Sequence, residues 1–87
     1  MTRVKVSVTA EDIRVGVPRD QYRCPVARAI KRRLKSHDVS VGTWIFIDVL
    51  IDVETPPQVL RWIRAFDEQR PVGPFAFYLV IHKKGRR

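Results

Sequence analysis

Val-Ser-Val-Gly-Thr-Trp-Ile-Phe-Ile-Asp-Val-Leu-Ile-Asp-Val, residues 39–53, is the stretch on which the fold turns. Val, Ile, Phe, Trp and Thr dominate it, and these side chains suit a pleated surface better than a helix. Gly42-Thr43 interrupts the run. The pattern predicts a short strand at Val39–Val41, a tight turn, and a longer strand from Trp44 to Val53. Ile45, Ile47, Val49, Ile51 and Val53 then share one face, while Trp44, Phe46, Asp48, Leu50 and Asp52 share the other. The second face mixes aromatics with acids, which points to partial exposure.

On the N-terminal side lies an amphipathic helix, predicted from Pro25 to about Ser36. Pro25 suits the first helical position. Val26, Ile30 and Leu34 form a stripe with Ala27 and Ala29 beside it, and Arg28, Lys31, Arg32 and Lys35 occupy the other side with Arg33 at its border. His37-Asp38 closes the helix, with His37 placed to meet its last carbonyls. Upstream, Val4, Val6 and Val8 alternate with Arg3, Lys5 and Ser7, the period of a half-buried strand. Thr9 and Asp12 then approximate a capping box for a helix of about two turns, which Gly16 and Pro18 end. Arg19 to Arg23 reads as an exposed loop.

Downstream, Thr55-Pro56-Pro57-Gln58 predicts a helix capped by Thr55, with Pro56 first and Gln58 completing a capping box. Val59, Leu60, Trp62, Ile63 and Phe66 are its apolar side as it runs to about Gln69. Pro71, Gly73 and Pro74 turn the chain into a last strand, Phe75 to His82, whose Phe75, Phe77, Leu79 and Ile81 face the core. The expected fold class is therefore α+β: a small mixed or antiparallel sheet of three to four strands with two amphipathic helices packed on one face. With 87 residues, one domain over 1–82 is expected, followed by a basic tail at 83–87 expected to be disordered.

Composition narrows the function classes. Seventeen basic residues, twelve of them Arg, face nine acids, for a net charge of +8. Arg suits phosphate or carboxylate contacts through its planar fork, although codon bias produces the same usage. No run is long and apolar enough for a membrane span, and the first residues alternate charge and Val rather than forming a signal peptide, so a cytoplasmic protein is expected. The single Cys24 excludes an internal disulfide.

Three constellations bear on chemistry. Cys24 before Pro25 puts a thiol at a helix N-terminus, where dipole and amides favour thiolate; a small side chain filling that position is the preferred reading. Asp48 and Asp52 on one strand face have the geometry of a Mg2+ pair, but acids that protect an edge strand are more frequent. No metal-ligand spacing, phosphate loop or catalytic set is found, so no enzyme activity, metal or cofactor is expected. The strongest feature is the basic helix face, Arg28, Lys31, Arg32, Lys35 and Arg33, which suits phosphate contacts, against the plain alternative of a solvated face. Trp44, Phe46 and Leu50 form a candidate protein interface or homodimer surface. Phe46 or Tyr78 are candidates for stacking on bases, although a core role is commoner for aromatics at these spacings.

Cys24-Pro25-Val26-Ala27-x-Ala29-Ile30, Val39-x-Val41-Gly42, Pro57, Trp62-Ile63-x-x-Phe66-Asp67 and Pro71-Val72-x-Pro74-Phe75-x-Phe77 together resemble small proteins encoded in tailed-bacteriophage genomes. That family has no assigned activity, so the resemblance implies provenance, a host-cell cytoplasm and no chemistry. Some members carry a second Cys three residues before the first; Gln21 stands there in this chain, so no metal or redox role carries over. Two functions follow as expectations. One is a small basic phage-type accessory protein that binds an acidic partner, nucleic acid first, through the helix face. The other is a protein-binding modulator or inhibitor of a host enzyme or defence complex.

Overall fold

A strand of alternating valines meets its partner at the far end of the chain. In the computed structural model, which describes residues 2–48 and 51–81, β1 (Thr2–Val8) pairs antiparallel with β5 (Phe75–Ile81), with Val4 opposite Leu79 and Val6 opposite Phe77. These four side chains are buried, and period-two alternation leaves Arg3, Lys5, Tyr78 and Val80 on the outer side. After β1, Thr9 caps α1 (Ala10–Val15) with both halves of the predicted box: its hydroxyl accepts from Asp12 N, and Asp12 Oδ2 accepts from Thr9 N.

α2 (Pro25–Leu34) starts at Pro25 as expected and buries Val26, Ala27, Ala29 and Ile30. The two alanines bring the helix close to the strands, and it packs against both β1 and β2 (Val39–Val41). It stops at Leu34, short of Ser36, because Lys35 adopts the left-handed conformation (φ 56°) and folds the chain back onto the Lys31 carbonyl.

The predicted long strand is instead a hairpin, and this is the main correction. β3 (Trp44–Ile47) ends at Asp48, whose φ of 54° turns the chain into β4 (Ile51–Glu54). Asp tolerates that conformation better than most residues, and Ser36 Oγ donates to Asp48 Oδ1 at 2.7 Å. The three strands form an antiparallel sheet in the order β2-β3-β4, separate from the β1-β5 pair, with β4 lying beside β5. Facing survives the correction, since Ile45 lies opposite Val53 and Ile47 opposite Ile51 on the core side. Phe46 lies opposite Asp52 and Trp44 opposite Glu54 on the outer side. Val49 and Leu50 lie outside the described residues, as do His82 and the basic 83–87 segment. The architecture is α+β, with five strands in two antiparallel sheets and three helices among the described residues.

The second correction concerns Thr55. Pro56 is the N-cap of α3 (Pro57–Asp67), and no side chain caps it. Thr55 is buried and donates through Oγ1 to the Gly42 carbonyl at 2.6 Å, tying the start of α3 to the β2–β3 turn. α3 is then anchored by aromatic contacts. Trp62 stacks on Phe66 (5.8 Å between centroids) and tilts on Phe75 (4.8 Å), and Phe75 stacks on Phe77. The helix ends at Asp67, two residues before Gln69, which takes a φ of 61°.

Candidate functional site

Asp12 is fully buried, a place where a carboxylate is stable only with a charged partner. α2 supplies two. Arg32 forks onto it, Nη1 to Oδ1 at 2.7 Å and Nη2 to Oδ2 at 2.8 Å, and Nη2 also donates to the Ser7 carbonyl at 2.9 Å. One turn earlier, Arg28 Nε lies 3.4 Å from Asp12 Oδ1, shielded from water and without a hydrogen-bond partner. Burial alone pushes the Asp12 carboxyl up. The Arg32 fork, the Thr9 backbone N–H and the Arg32 charge outweigh it and hold the pKa at about 2. The same fork raises the Arg32 pKa further.

This arrangement changes the role of the basic helix face. Of the five residues predicted to meet phosphate, Arg28 and Arg32 first serve an internal acid. Lys31 Nζ donates to the Tyr22 carbonyl at 2.7 Å, while Arg33 and Lys35 face water. The row is therefore not a free comb of cations. Three of its members are fixed in place, and the Asp12–Arg28–Arg32 group keeps one net positive charge.

What the row does form is one side of a cleft of about 580 Å3. Arg28, Lys31, Arg32 and Lys35 line it from α2, with Ser36 and His37 at the helix end. Val15, at the end of α1, and Val17, Tyr22 and Arg23 from the following loop line it from the other elements. That loop is held by its own hydrogen bonds. Asp20 Oδ1 accepts from the Tyr22 and Arg23 amides (2.9 and 3.0 Å), and Val17 N donates to the Arg23 carbonyl. Arg19, with φ 58°, reaches α3 by donating from its amide to Asp67 Oδ1 and from Nη1 to the Asp67 carbonyl. At Gly16 a Cβ would sit 2.6 Å from Pro25 Cδ and 2.7 Å from the Asp12 carbonyl, so only glycine lets α1 and α2 approach this closely. Much of the cleft wall is thus preformed.

Arg32 also borders a second, smaller cleft, shared with Lys5, Ser7, Ala29 and Arg33. On the adjoining outer face of β1–β5 the Arg3 guanidinium lies 4.4 Å over the half-exposed Tyr78 ring. Positive side chains thus extend from the main cleft around to the sheet. Tyr78 is not a core residue.

The remaining sequence candidates separate clearly. Cys24 caps α2 through Sγ, accepting from Ala27 N at 3.4 Å; it is buried, and burial pushes its thiol pKa up. The expected thiolate-favouring position is therefore overridden by desolvation. Asp48 stands in a turn and Asp52 on β4, so the two acids do not share a strand, and no group of three potential metal ligands occurs among the described residues. Trp44 and Phe46 are about half exposed on the outer face of β3, and Leu50, the third member of that candidate interface, lies outside the described residues. Among the described residues no helix is long and apolar enough to cross a membrane.

In the sequence Asp12 shows only as part of the α1 cap, and its role as a buried anchor emerges from tertiary packing. Its one visible signal is the i, i+4 spacing of Arg28 and Arg32, which places two guanidiniums one turn apart. No family model, curated protein or solved structure matches this chain.

Proposed function

We propose that the protein is a small non-catalytic nucleic-acid-binding protein that uses the α2 cleft to hold the phosphate backbone. The observation that carries this reading is the convergence of Arg28, Lys31, Arg32 and Lys35 on one preformed cleft, with two guanidiniums oriented by a buried carboxylate. Phosphate is a better match than carboxylate for several cations held at fixed spacing, and the +8 net charge favours encounter with a polyanion. The proposed origin as a tailed-phage accessory protein in the host cytoplasm rests on the sequence resemblance alone.

The test is fluorescence anisotropy with labelled oligonucleotides across a salt series. With one net positive charge on the Asp12–Arg28–Arg32 group and one each on Lys31 and Lys35, binding through about three phosphate contacts gives a log–log salt slope of about −2 to −3. The double variant Lys31→Glu/Lys35→Glu should lose most of the affinity. Because Lys31 also holds the Tyr22 carbonyl, Lys35→Glu alone, whose side chain faces water, is the variant expected to weaken binding while melting like the parent. Arg28 and Arg32 are poor choices for charge reversal, since reversing Arg32 removes the fork on Asp12 and reversing Arg28 sets a second carboxylate beside it. Binding that ignores both salt and the charge reversal would defeat the proposal.

A second reading, docking to a partner protein or a second copy, is favoured by exposed Trp44 and Phe46 beside Asp52 and Glu54. Trp44→Ala/Phe46→Ala should then abolish a complex that Lys31→Glu/Lys35→Glu leaves intact.

A further inference from the structure

Val15, Val17 and Tyr22 are three of the seven large hydrophobic side chains exposed among the described residues, and all three line the α2 cleft. Isolated exposed apolar residues need no explanation, but a cluster facing a cationic wall does. Tyr22 is about half exposed, and its backbone is pinned by Asp20 and by Lys31 Nζ, so its ring is presented from a fixed frame.

From this juxtaposition we infer that the cleft takes an unpaired nucleotide of a single strand. The base lies against Tyr22 and the two valines, and its flanking phosphates lie against Lys31, Lys35 and the partly exposed guanidinium of Arg28. The inference rests on the nucleic-acid reading above and narrows it to one substrate class. A duplex keeps its bases stacked inside and shows the cleft only a ridge of phosphates, which leaves the apolar wall wet. An unpaired nucleotide offers a π-face and an anion on one flexible unit, the two chemistries the walls provide. A volume of about 580 Å3 lies in the range of small-ligand sites and accommodates one nucleotide.

The experiment compares fluorescein-labelled dT15 with a labelled hairpin duplex at low salt, for the parent protein, Tyr22→Ala and Tyr22→Phe. The expected result has dT15 bound more tightly than the duplex. Tyr22→Ala weakens dT15 by about 5- to 100-fold, the loss associated with one stacked base, and Tyr22→Phe restores it. The duplex affinity stays within about twofold in both variants, because phosphate contacts alone do not use the ring. Equal, salt-sensitive binding of dT15 and duplex, unmoved by Tyr22→Ala, overturns the single-strand inference and leaves the broader proposal standing. Absence of binding to either nucleic acid overturns both. Displacement of dT15 by poly-glutamate as effectively as by unlabelled dT15 at equal charge concentration overturns both, because the cleft then selects charge and not nucleotides.

Discussion

Replacing Asp12 by Asn isolates the charge at the centre of the structure. The amide keeps the shape and retains an acceptor for Thr9 N, so the α1 cap survives while the ionic part of the contact to Arg32 and Arg28 is lost. The carboxyl titrates at about 2 in the folded chain against 3.8 unfolded. Between those values the unfolded chain binds more protons, so stability rises with pH there. The contribution is fully present above pH ~4 and disappears as pH falls to about 2. A depression of this size corresponds to about 2 kcal/mol. Urea unfolding of parent and Asp12→Asn from pH 7 down to 2 reads it directly. The variant should be less stable by about 2–3 kcal/mol at pH 7, and the two curves should converge towards pH 2. Other carboxylates titrate in both proteins and cancel in the difference. A constant gap from pH 7 to 2, or no gap at all, would refute the reasoning that Asp12 is ionised and held by the α2 arginines.

Three more outcomes follow from particular contacts. Gly16→Ala should lower stability by about 1–3 kcal/mol in urea unfolding, because the new methyl meets the Pro25 ring and the Asp12 carbonyl. Thr55→Asp distinguishes a helix cap from a buried cross-link: a cap would tolerate Asp, whereas the buried hydroxyl on Gly42 predicts a loss of at least about 2 kcal/mol, seen as a lower melting temperature. Cys24 should react slowly with iodoacetamide at pH 8 and at the rate of an ordinary thiol once urea unfolds the chain; fast alkylation of the folded protein would contradict its burial.

Much of the fold was legible because period and punctuation agree along most of the chain. The valines of β1, the proline that opens α2, the alanines that seat it and the Gly42-Thr43 turn all act locally. Residues 44–54 were legible in facing but not in continuity. The turn at Asp48 carries neither glycine nor proline, and its support comes from Ser36, twelve positions away. Thr55 misled for a related reason: its hydroxyl meets both the local pattern of a cap and a distant carbonyl, and the burial of that corner decides for the carbonyl. The spacing of Arg28, Lys31, Arg32 and Lys35 shows that they line one side of α2, with Arg33 turned to the neighbouring cleft. What those positions do depends on Asp12, a contact that spans twenty residues and belongs to tertiary packing alone. The same is true of the apolar wall, since nothing in the spacing of Val15, Val17 and Tyr22 announces that they line one cleft with Lys31 and Lys35.

The most direct measurement is a 1H–15N correlation spectrum of the protein titrated with dT15. Shifts concentrated at Val17, Tyr22, Lys31 and Lys35, fading as salt is added, are the predicted result. Shifts confined to Trp44 and Phe46, or a spectrum that does not move, would contradict the assignment of the α2 cleft to nucleic acid.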